Sequence, residues 1–197
     1  MKKSYFLQII FPFLSLGCQL NKTRSADMNR ALQKTQFSQY VSLEIKDYSP
    51  YRQILNNLDK ILGNNEKNEL KNRGEAHITV ITPPEFALLT TKITPEVIHS
   101  EWNKWTARSF KELCFGEGQV LDQNSQILKT YFIVVDSSDL VKFRTYLKDK
   151  YTVDTFNAEL FFPHITIGFT EHDLHYEQGV IKNVNACRAD LQKALLK

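Results

Sequence analysis

Two short strings in this chain nearly repeat each other, and they constrain its fold more than any other feature. Residues 76–82 read AHITVIT and residues 163–169 read PHITIGF. In an extended strand, residues two apart point to the same face. His77 and Thr79 therefore project together, while Ile78 and Val80 face the other way. His164 and Thr166 share one face in the same manner, and Ile165 and Ile167 share the other. Each string divides itself into β-branched aliphatics that anchor a strand to a core and an imidazole–hydroxyl pair left for a cleft. A lone His-x-Thr carries no information. Two copies, each inside an apolar strand, point to one shared site; the alternative is a chance repeat of two strand-end histidines.

Phosphodiester chemistry needs both residue types. One proton must leave the attacking oxygen and another must reach the leaving oxygen. Imidazole suits both tasks, with an ordinary pKa of about 6.5. The non-bridging oxygens need donors as charge gathers on them, and the Thr79 and Thr166 hydroxyls can each donate one hydrogen bond. Two such strands side by side would clamp a phosphate from both sides. This scheme requires no metal, and no carboxylate cluster of the kind that holds Mg²⁺ stands near either motif. The expectation is no cofactor and no metal. Of the other histidines, His99 falls in a predicted helix, while His172 and His175 follow the second motif and either line its exit or face solvent.

Strands and helices alternate along the chain, but not in a long βαβ series. Val41, Leu43 and Ile45 alternate in a first strand. Pro50 opens a helix with a stripe of Tyr51, Ile54, Leu55, Leu58, Ile61 and Leu62, and Gly63 ends it. The first histidine strand is broken by Pro83-Pro84, and a helix is predicted over 94–105. A strand and turn follow over 110–120, with a bend at Gly116 and Gly118, then a strongly β-prone run over 130–135. Ser138 or Asp139 caps the next helix, and the second histidine strand comes after it. From Asp173 the pattern suggests a loop or short helix, and residues 186–196 a C-terminal helix. Both halves read strand, helix, histidine strand, which favours an α+β fold of two similar lobes.

Residues around the motifs have candidate roles. Arg73 could steer a phosphate. Glu75 lies two before His77 and could pair with an imidazole, or with Arg73 in a surface salt bridge. Tyr131 or Phe132 could stack on a base, with core packing as the alternative. Gly74 suits a tight turn, and Gly168 a close approach of backbone or ligand.

The strings AHITV and PHITI, in the wider context RGEAHITVITPPE and PHITIGFTEHDLH, resemble the HxT/S signature of the two-histidine (2H) phosphoesterase superfamily. That superfamily includes RNA 2′,5′-ligase-like proteins and cyclic phosphodiesterases. The context looks most like its Swiss-army-knife, RNA-repair-like branch. The resemblance spans roughly residues 41–184. It implies a bilobal fold with a pseudo-twofold, each lobe an antiparallel sheet flanked by helices. It puts the catalytic pairs on His77 with Thr79 and His164 with Thr166. It implies metal-independent action on 2′,3′-cyclic phosphates or related nucleotide or RNA-end phosphodiesters. The pseudo-symmetry leaves acid and base open, with His164 as base and His77 as acid the preferred order. Ligation or transfer at RNA 2′,5′ ends, a non-catalytic phosphate-end binding module and a structural envelope lipoprotein stand as alternatives.

Composition bounds the partners. Of 197 residues, 42% are apolar and 24% charged, enough for a core without staples. The formal charge is +3 with no basic block, which does not favour a long duplex as ligand. A nucleotide or RNA end remains compatible, and the protein is expected to act as a monomer. The start, MKK followed by an apolar stretch to Leu16 and then Gly17-Cys18, reads as an export signal and resembles a bacterial lipobox. Leu14 sits one place too far upstream and Leu16 replaces the usual small residue. The expected layout is a signal segment over 1–18, a polar spacer over 19–39 and the catalytic domain over 40–197. A lipidated Cys18 would tether an exported protein to a membrane. A secreted protein, or an apolar first element ending in a core cysteine, is the alternative. Cys114 and Cys187 remain, either bridged or as two buried thiols.

Overall fold

A computed structural model describes residues 38–63 and 69–195. The expected signal segment, Cys18, the spacer and its short helix near Met28 lie outside the described residues. Five strands form one antiparallel sheet: β1 (Val41–Ile45), β2 (Ala76–Ile81), β3 (Lys111–Leu121), β4 (Ile127–Asp136) and β5 (His164–Phe169), in the order β1-β2-β5-β4-β3. Four helices accompany them: α1 (Ser49–Leu62), α2 (Pro83–Leu89), α3 (Pro95–Lys104) and α4 (Ser138–Tyr151).

The two histidine strands do not belong to separate sheets. Ile78 of β2 pairs with Ile165 of β5, so the repeated halves meet strand to strand in the middle of one sheet. The two-sheet, two-lobe arrangement is corrected accordingly among the described residues. Both strands bury the same aliphatic face, and one shared core covers it: Ile78, Val80, Ile165 and Ile167 pack with Leu55 and Leu58 of α1, Ile98 of α3 and Phe143 of α4. Pairing at the centre also leaves neither strand with an open edge.

One local expectation is extended and two are revised. Pro83-Pro84 ends the strand by starting α2, where Pro is tolerated in the first turn and Glu85 accepts from the Thr82 backbone N–H at 2.9 Å. Gly116 and Gly118 do not bend β3, which runs straight through them. They are small because a Cβ at Gly116 would lie 2.5 Å from the Phe132 ring, and one at Gly118 2.3 Å from Val180 Cγ1. The C-terminal helix is replaced by 3₁₀ turns at Val184–Ala186 and Gln192–Leu195. The backbone between them is engaged by β3 instead. Cys187 is bonded to Cys114 and bridges Gly116, and the Arg188 N–H donates to the Phe115 carbonyl at 2.9 Å.

The segment from residue 173 to 187 therefore returns across the sheet, on the face opposite the helices. Leu174 and Val180 pack there with Leu128 in a small second apolar cluster. Arg144 of α4 fixes the other flank. It is fully buried and donates to the carbonyls of Val80, Asn157, Ala158 and Leu160, and to both oxygens of Glu85. It thus ties the end of β2, the start of α2 and the approach to β5 to one side chain.

Candidate active site

The register of β2 and β5 assembles the site. With Ile78 opposite Ile165 in an antiparallel pair, His77 stands opposite Thr166 and Thr79 opposite His164. Cross-strand neighbours of this kind are about 4.5–5.5 Å apart at Cβ. Each imidazole thus stands across the ladder from the threonine of the other motif. All four side chains line one cleft of about 530 Å³, together with Arg73, Asp173, His175 and Lys182.

The symmetry ends at the rings' partners. His164 donates from Nδ1 to the Phe162 carbonyl at 2.7 Å, which fixes the tautomer and leaves the Nε2 lone pair facing the site. Lys182 Nζ lies 3.2 Å from that Nε2 and donates to it. Burial and the Lys182 charge push His164 down to about 3, so the ring is neutral at neutral pH. His77 instead has a carboxylate beside it: Glu75 Oε1 is 3.3 Å from Nδ1. Glu44, on β1, joins them, and the three residues bring one oxygen or nitrogen atom each within 4.8 Å of one another.

Asp173 anchors the His164 side. Its Oδ1 accepts from Lys182 at 2.7 Å and from Thr130 at 2.7 Å, and its Oδ2 accepts from Thr166 at 2.9 Å. Arg73 lies 3.5 Å from the same Oδ2. Burial opposes the charge on Asp173, but Lys182 and the hydrogen bonds outweigh it and hold the carboxyl well below the usual range. Burial lowers Lys182 despite its carboxylate partner. Burial also lowers His175, against the pull of Asp173.

The threonines consequently differ. Thr166 spends its proton on Asp173. The Thr79 hydroxyl has no hydrogen-bond partner among the described residues and can donate into the cleft. Arg73 and Glu75 flank the motifs, with Glu75 on His77 and Arg73 on Asp173. Tyr131 does not join them. It is 2% exposed in the core, beside Phe115, because strand alternation sends it to the helix-covered face. Phe132, opposite Thr166 in the ladder, underlies the site instead, with its ring edge-on to His164 and Lys182 above it. His172 is exposed beside Gln178, and His99 packs against Phe86 away from the cleft. Sequence reasoning missed Asp173 and Lys182. Asp173 stands in the quoted EHDLH string, seven residues after Thr166, but no strand period ties it to the motif. Lys182 lies in an irregular polar loop that carries no signal at all.

The family described as Swiss Army Knife, 2H phosphoesterase domain matches residues 39–175. That span holds both His-x-Thr strands and Asp173, and ends before Lys182. Comparison with curated proteins and with solved structures gives no match.

Proposed function

The chain belongs to the Swiss Army Knife family of 2H phosphoesterase domains, and on that premise we propose that it hydrolyses a 2′,3′-cyclic phosphate or a related nucleotide or RNA-end phosphodiester by two-histidine acid–base catalysis. Family membership supports enzymatic phosphodiester handling in general. The substrate, the direction and the roles below are our reading. The observation that carries it is the β2–β5 register, which sets both motifs on one face of one cleft.

The unequal surroundings of the rings support the order of roles. A general base must be neutral, and His164 is held neutral with its Nε2 lone pair toward the site. A general acid must carry a proton, and the Glu75 carboxylate stands where it can pair a charged His77 ring. Water attacks phosphorus while its proton passes to His164 Nε2. The bond from phosphorus to one ribose oxygen breaks, and that oxygen takes the proton of His77. The product is a phosphomonoester, and a proton exchange with solvent resets the rings. Thr79 and Arg73 donate to the non-bridging oxygens.

The test is a screen of 2′,3′-cyclic nucleotides and short RNAs in EDTA, with water and a ribose hydroxyl offered as competing acceptors. Hydrolysis is expected to survive EDTA, and His77→Ala or His164→Ala to lower it roughly 10²- to 10⁴-fold. Full activity in the double variant would overturn the mechanism, and loss of wild-type activity in EDTA would assign a role to the Glu44, Glu75 and His77 donors. The Cys114–Cys187 disulfide is consistent with an oxidising compartment, as the export signal suggests. The mass of the mature N-terminus tests lipidation at Cys18.

A further inference from the structure

We infer that Lys182 is a catalytic residue of this site: its ammonium caps the lone pair of His164 until a phosphate oxygen draws it away, and then holds that oxygen. This inference rests on the phosphodiester reading above and extends it. Family membership does not assign the residue, because the matched span ends at 175.

The geometry leaves the ammonium few alternatives. His164 has one lone pair, at Nε2, because Nδ1 donates to the Phe162 carbonyl. Lys182 occupies that lone pair from 3.2 Å. A base whose lone pair accepts from an ammonium cannot also accept from water, so the resting site is switched off. A phosphodiester brings anionic oxygens into the same cleft, and a buried ammonium prefers an anion to a neutral ring. Lys182 has three donors. One is fixed on Asp173 Oδ1, which keeps the ammonium in place when the bond to His164 is exchanged for one to phosphate. Asp173 is itself held by Thr130, Thr166 and Arg73. With the Thr166 proton committed to Asp173, the His164 side of the site offers the phosphate a cation where a motif hydroxyl was expected. Lys182 keeps its protons throughout. The proton of the attacking water goes to the uncovered Nε2 of His164.

Lys182 is 3% exposed and pairs with a carboxylate, which by itself describes a structural ion pair. The contact to His164 separates the readings, because a purely structural lysine has no reason to respond to phosphate. The experiment uses the full chain with its disulfide intact and inorganic phosphate as the probe. Histidine nitrogen NMR follows His164 Nε2. In the wild type, phosphate is expected to move this resonance toward an uncapped, pyridine-like nitrogen. Lys182→Met should show the uncapped position without phosphate and bind phosphate at least 10-fold more weakly. Lys182→Arg should recover part of the binding. On a substrate found in the screen, the acidic limb of kcat/KM should lie at higher pH in Lys182→Met, since removing the ammonium leaves Asp173 and His175 as the charged and titratable neighbours of His164. Unchanged phosphate affinity in folded Lys182→Met, or a wild-type His164 signal indifferent to saturating phosphate, would overturn the inference. The wild-type measurement decides the matter even if the variant does not fold. A wild type that binds phosphate with the expected His164 response but cleaves no phosphodiester would instead sink the proposed reaction and leave the Lys182 contact standing.

Discussion

At the residue scale the two motifs are equal in letters and unequal in surroundings. A strand pattern determines which way a side chain points, not what arrives to meet it. Glu75 reaches His77 from the residue just before β2, whereas Lys182 reaches His164 from a loop that follows β5. The threonines diverge for the same reason. Thr79→Val removes a hydroxyl with no competing partner and is expected to weaken inorganic phosphate binding directly. Thr166→Val removes a donor to Asp173, and its first effect should be on the His164 nitrogen resonance. Arg144 has a large expected stability effect. Its six hydrogen bonds hold Glu85 and four carbonyls in a buried setting. Arg144→Met would leave them without that partner, and a loss of about 3–5 kcal/mol in urea unfolding is expected. A loss below about 1 kcal/mol would show that water replaces the guanidinium.

At the scale of elements, β3 shows how a glycine is misread. Sequence patterning takes Gly116 and Gly118 as a bend, because glycine is the residue of turns. Here they are missing side chains on the face over which Phe132 and Val180 lie. That clearance lets the return segment lie close to the sheet and carry Lys182 to His164. Gly118→Ala is therefore expected to destabilise by roughly 1–3 kcal/mol through overpacking. Val180→Ala in the same background should recover part of the loss, and a double-mutant cycle measures it. Strict additivity would mean the two sites do not touch. The helices other than α2 were easier to read: the apolar stripe of α1 and the helical pattern of α3 follow rules that act within a few residues.

For the whole molecule, the Cys114–Cys187 bridge closes a separation of 73 residues and ends the return segment five positions after Lys182. Chain-entropy arguments value such a loop at about 4 kcal/mol. Reduction should lower the melting temperature on the order of 10 °C, and it should also shift the His164 nitrogen resonance, since the segment carrying Lys182 loses its covalent tie to β3. Acid has a separate effect. His164 is held at about 3 against an ordinary 6.5. Between those values the unfolded chain takes up a proton that the folded site refuses, so stability is lost as pH falls from about 6.5 toward 3. Asp173, displaced downward, stabilises above its ordinary value near 3.8 and loses that contribution only as pH drops below it. Thermal melts between pH 7 and pH 4 should show the slope, flatter in His164→Asn. Equal slopes in the two proteins would contradict a ring held neutral in the folded state.

The sequence by itself determined the two His-x-Thr strands, their apolar backs, the main helices and the family, because each rests on a period or motif read over a few neighbouring residues. The tertiary structure alone decided that both strands share one sheet, in a register that sets each imidazole across from the other motif's threonine. It also brought Asp173 and Lys182 to the cleft and left Tyr131 in the core. Those outcomes come from packing and charge pairing between distant segments, and no local pattern in the chain encodes which loop will reach which ring.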